Sequence, residues 1–81
     1  GRNPLARVTL FLRTALFSPE SENAHIPQGI AIIDGETTEG PAGALTVKTK
    51  AYRDSRDRAL TGSPRTLTIP WSKIDHVLER E

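Results

Sequence analysis

The chain has 81 residues, 36% of them hydrophobic and 26% charged, with no Cys and a net charge of +1. This balance excludes a disordered or strongly basic chain, and the absence of thiols excludes disulfides and thiolate metal centres. A single domain this short buries only about 60% of its unfolded surface, so packing and self-association are left to stabilise it, and a homo-oligomer is expected.

No apolar run approaches the roughly 20 residues that a membrane helix needs, because Arg13 interrupts the best stretch, Val8 to Phe17. The chain opens on Gly rather than Met, which reads as a cleavage scar or an excised segment. The compartment stays open, with the cytoplasm favoured.

In "ARVTLFLRTALF", Val8, Leu10 and Leu12 share one face of a strand, with Thr9, Phe11 and Arg13 on the other. A helix also fits, capped by Asn3 with Pro4 in its first position, but Leu10 and Phe17 fall off its apolar stripe. The β-branched and aromatic content favours the strand. "SPESENAHIPQG" has Pro near both ends and no periodicity, so it is a loop. "GIAIID" reads as a buried strand that enters a tight turn at Asp34-Gly35, and the glycine-rich "GETTEGPAGA" as a turn or a short bent strand.

"ALTVKTKAY" resumes alternation, with Leu45 and Val47 inward and Thr46, Lys48, Lys50 and Tyr52 outward. "RDSRDRALTGSP" is a charged loop. "RTLTIPW" alternates through Leu67, Ile69 and Trp71, and Pro70 ends the strand by removing a ladder donor. The closing "IPWSKIDHVLERE" fits a short helix capped at Ser72, with Ile74, Val77 and Leu78 on one side, or a last strand. The strand is favoured, because closing a barrel removes the edges that an open four-stranded sheet would expose. Pro70 to Lys73 then forms a one-turn corner. The expected fold is mostly β, a five-stranded small barrel occupying the whole chain.

Two stretches resemble the Sm-like branch of the small SH3-like barrels. In "IIDGETTEG", Ile32 and Ile33, then Asp34-Gly35, then Gly40 are similar in spacing to that family's first motif. In "TIPWSKIDHVLE", Ile69, the four-residue corner, Ile74 and Val77 are similar to its second. The resemblance implies an oligomer that binds RNA, with residues 4 to 17 in the place of an N-terminal helix. The chain departs from the pattern at Thr38, where the family is apolar. It departs again at the corner, where Pro70, Trp71, Ser72 and Lys73 replace the pairs that hold RNA.

From Lys48 to Arg65 six basic residues, Lys48, Lys50, Arg53, Arg56, Arg58 and Arg65, face two acidic ones, while Asp34 to Glu39 holds three acids and no base. With Tyr52 interleaved and Trp71 nearby, this is the mix that single-stranded nucleic-acid surfaces use, cations on phosphates and aromatics on bases. The competing interpretation is a solvated face whose loop makes its own ion pairs, with Trp71 serving as the largest piece of the core. His25 and His76 with Glu20, Glu22 or Asp34 lack a short metal-ligand spacing, and Ser72 and His76, four apart, have no orienting acid. The glycines match neither a P-loop nor a dinucleotide fingerprint. The expectation is therefore a non-catalytic module without cofactor or metal. It binds single-stranded RNA as an Sm-like oligomer, or it serves as an SH3-like interaction or self-assembly domain.

Overall fold

The structure, a computed structural model, describes residues 6–16 and 26–80. Six strands follow in chain order: β1 (Arg7–Leu16), β2 (Ile30–Thr38), β3 (Ala44–Arg53), β4 (Ala59–Leu60), β5 (Thr66–Pro70) and β6 (Ile74–Glu79). One turn of 3-10 helix, Trp71–Lys73, joins the last two. All pairings are antiparallel. The spatial order is β4-β3-β2-β1-β6, with β5 also on β3. β4 and β5 share the edge of β3 that β2 leaves free, β4 beside Tyr52 and Arg53 and β5 beside Ala44 to Lys48. The sheet is open rather than closed through its hydrogen bonds, and the strand expected to be fifth is sixth because of the two-residue β4.

Apolar residues along each strand supply one buried face. Val8, Leu10, Ile30, Ile33, Val47, Tyr52, Ile69 and Ile74 form the core, and Leu12, Leu16, Ile26, Leu45, Leu60, Leu67 and Val77 pack against it. β1 is extended throughout its length, so the helical alternative is not adopted over Arg7–Leu16; Asn3, Pro4 and Phe17 lie outside the described residues. The closing segment is the strand favoured over the helix, and it follows a one-turn corner. No helix among the described residues is long and apolar enough to cross a membrane.

Two bulges change the phase of the alternation. Between β2 and β3 the register passes from Asp34↔Ala51 to Gly35↔Thr49, leaving Lys50 without a partner. An extra residue turns two successive side chains to one side. Lys50 and Ala51 are accordingly both exposed, and Tyr52 turns inward, where it is 2% exposed. The outward position expected for Tyr52 is thereby corrected. Between β1 and β6 the register passes from Phe11↔His76 to Leu12↔Ile74, leaving Asp75 over. Ile74 and Val77 then both reach the core, a three-residue spacing that imitates a helix.

The Asp34-Gly35 turn is also corrected, because β2 runs straight through it to Thr38. Gly35 serves close approach instead: a Cβ there would run into the Lys48 carbonyl and the Val47 side chain. The reversal comes at Ala42 and Gly43, where Gly43 takes a φ of 84° that an L side chain rarely adopts.

Candidate functional site

The basic residues of β3 and the loop after it do not form one continuous surface. Arg53 is half-buried and shared between two carboxylates, with Nη1 2.6 Å from Asp57 and Nη2 3.1 Å from Asp34. Arg58 Nε lies 2.9 Å from Asp54. Lys50, exposed at the bulge, sits 3.6 Å from Glu36. Three of the six cations are thus compensated. Lys48, Arg56 and Arg65 make no ion pair among the described residues. Arg56 belongs to the turn after β3, whereas Lys48 and Arg65 come together: with Thr49, Pro64 and Thr66 they line an open depression where the chain enters β5.

The turn after β3 is organised by Asp54. Its Oδ1 accepts the backbone N–H groups of Arg56 and Arg58, each at 2.9 Å. The Arg58 amide is the main cause that holds this carboxyl below its ordinary value, with smaller help from the Arg56 amide and the Arg58 guanidinium, against partial desolvation. Asp57 in the same turn has a φ of 65°, a left-handed conformation that Asp tolerates better than most residues.

Neither aromatic residue of the expected stacking surface belongs to the depression. The Tyr52 ring is core, and its hydroxyl lies 2.7 Å from both Thr49 Oγ1 and the Ser63 carbonyl. Trp71 is 49% exposed, which overturns its expected place as the largest piece of the core. Its backbone N–H donates to Gly43 at 3.2 Å. It therefore follows Pro70 at one end of β5 while Arg65 precedes Thr66 at the other, and five strand residues span about 17 Å.

On the outer face of β1, β2 and β3 a second polar group is spent on structure. Arg80 Nε donates to Thr9 Oγ1 at 3.0 Å, and Thr9 donates to Asp34 Oδ1 at 2.6 Å. Arg53 holds the same carboxylate from the far side. His76 stacks on Phe11 with ring centroids 4.3 Å apart, and its Nδ1 lies 2.7 Å from Asp75. No hydrogen bond joins His76 to Ser72 among the described residues. No group of three His, Asp or Glu residues is placed to hold a metal among them, and His25, Glu20 and Glu22 lie outside them.

Among the described residues β5 and β6, like the two-residue β4, each pair on one side only. In an antiparallel ladder, residues that exchange hydrogen bonds alternate with residues that do not. The Arg80 N–H bonds to the Arg7 carbonyl at 2.7 Å, so the bonded residues of β6 are His76 and Leu78, and the backbone groups of Val77 and Glu79 point away from β1. On β5 the frame is set by Trp71 N–H to Gly43 and Thr49 N–H to Arg65. Leu67 and Ile69 are then bonded to β3, while the backbone groups of Thr66, Thr68 and Pro70 point outward. Sequence reasoning missed both edges, because which face of a strand is bonded depends on register, which no residue type announces.

Comparison with family models, curated proteins and solved structures finds no match to this chain.

Proposed function

We propose that the chain is a non-catalytic assembly module of the SH3-like or Sm-like small-barrel class, whose copies join edge to edge, β5 of one against β6 of the next. The barrel class is supported by the route of the chain, in which β6 returns to β1 after a one-turn corner. The observation that carries the assembly reading is the pair of open edges, whose backbone groups point outward at Thr66 and Thr68 on β5 and at Val77 and Glu79 on β6. Antiparallel pairing of the two edges sets Thr68 opposite Val77 and Thr66 opposite Glu79 of the neighbouring copy. Pairing β6 with its own symmetry mate about Val77 would instead set Asp75 against Glu79, and like charges directly opposite are destabilising. The favoured contact is head to tail, which closes into a ring or continues as a filament.

Light scattering during size-exclusion chromatography tests it, with a defined oligomer expected. Thr68→Pro removes an outward N–H without taking a backbone bond from β3, giving up only the 3.0 Å contact between the Thr68 and Thr46 hydroxyls, at a position where an edge strand tolerates Pro. It is expected to give a folded monomer, with circular dichroism unchanged. A wild-type chain that stays monomeric at about 100 µM, where contacts of micromolar strength are populated, would overturn the reading.

A further inference from the structure

We propose that the depression lined by Lys48, Thr49, Pro64, Arg65 and Thr66 binds the phosphate groups of a single-stranded nucleic acid, by charge and without stacking of bases. Lys48 and Thr66 are direct cross-strand partners, so the ammonium and the hydroxyl emerge side by side. Arg65, just before β5, lines the same depression, and neither cation has a carboxylate partner among the described residues.

The frame behind them is rigid. The Arg65 N–H donates to Thr49 Oγ1 and the Thr49 N–H donates to the Arg65 carbonyl, both at 2.7 Å. Pro64 fixes the chain on the other side. A planar guanidinium on a fixed stem, next to a lysine that acts as a point charge, is the pairing suited to phosphate oxygens. The depression is open, and a site for a small molecule would be an enclosed, mostly apolar pocket. An open cationic trough suits a long polyanion that passes over it.

What the site lacks decides how it reads its ligand. Tyr52 is buried under it and Trp71 stands at the far end of β5, so no aromatic face meets a base. Binding then rests on release of counterions, which is blind to base identity. With two phosphates neutralised, the slope of log K against log salt is about −1.4 for a single strand, a loss of about sevenfold between about 50 and 200 mM salt. This site stands independently of edge-to-edge assembly, since Lys48 and Arg65 converge within one copy.

The test uses the whole chain in three titrations. Inorganic phosphate is followed by amide chemical shifts, oligo(U) and oligo(A) by fluorescence anisotropy, and polyglutamate as an acidic-peptide control. Expected are shifts at Thr49, Arg65 and Thr66 with phosphate, equal affinity for the two oligonucleotides within about threefold, the sevenfold salt dependence, and several-fold weakening by Lys48→Gln and by Arg65→Gln. The proposal is overturned by silence of those amides up to about 100 mM phosphate with no oligonucleotide binding at about 50 mM salt. It is overturned equally by oligonucleotide affinities more than tenfold apart, which would mean that bases are read, or by binding that survives both substitutions. Polyglutamate binding as tightly as the oligonucleotides would replace the nucleic acid with an acidic protein segment.

Discussion

The Tyr52 hydroxyl donates to the Ser63 carbonyl at 2.7 Å, fixing the loop before β5 to a ring in the core. Its other neighbour, Thr49 Oγ1, accepts the Arg65 N–H, and the Arg65 carbonyl already receives the Thr49 N–H. The Thr49 hydroxyl has two acceptors in reach, the Tyr52 oxygen at 2.7 Å and the Arg65 carbonyl at 3.0 Å, so every group in this network has a partner. Tyr52→Phe leaves the Ser63 carbonyl without its donor, while Thr49 keeps Arg65, and is expected to cost about 1–3 kcal/mol. Urea unfolding measures it, and a cycle with Thr49→Val should show coupling of about 0.5–3 kcal/mol.

Gly35 and Gly43 should respond differently to the same substitution. Gly35→Ala drives a methyl into the Lys48 carbonyl and the Val47 side chain, overpacking that costs about 1–3 kcal/mol. Gly43 faces open space but holds a φ of 84°. Gly43→Ala is therefore costly while Gly43→Asn, which tolerates that conformation, recovers most of the loss. Thermal unfolding of the three variants separates the mechanisms.

Trp71, being half exposed, should be quenched by iodide in the folded protein and emit close to the wavelength of free indole. Trp71→Ala is expected to cost less than half as much as Ile33→Ala, for which about 2–5 kcal/mol is typical of a buried aliphatic. An indole protected from iodide would place it in the core and remove it from the surface of the corner.

Asp54 sets a pH dependence. Its folded-state value is depressed, chiefly by the Arg58 amide, so the native state binds its proton less readily than the unfolded chain does. The stability it contributes is present above the unfolded carboxylate value of about 3.9 and is lost as pH falls through the lower folded value. The difference in unfolding midpoint between wild type and Asp54→Asn should accordingly hold at pH 6 and shrink below about pH 4. A gap that grows on acidification would contradict the assignment.

The strands were legible because alternation of apolar and polar residues survives wherever a strand keeps its register, as it does from Leu45 to Val47 and from Leu67 to Ile69. It misled wherever one residue is extra. Counting by twos from Val47 puts Tyr52 outside, and only the unpaired Lys50 explains why its ring is inside. The same device at Asp75 brings Ile74 and Val77 to one face and lends the last strand a helical appearance. At Asp34-Gly35 the residue types suited a turn, but the glycine is there because β3 passes too close for a side chain. Of the basic face, sequence located the cations, while the carboxylates that compensate Lys50 and Arg53, Glu36 and Asp34, come from β2, out of reach of local spacing.

The hydrogen bond from Arg80 to Thr9 crosses 71 positions of sequence, and β6 as a whole lies against the first strand of the chain. During synthesis β1 can acquire β2 as its neighbour early, but its other flank stays bare until β6 has left the ribosome. At translation speeds of about 5–20 residues per second that wait lasts seconds. The nascent sheet exposes an extra unpaired edge throughout this interval, the stage at which association between nascent chains competes with folding.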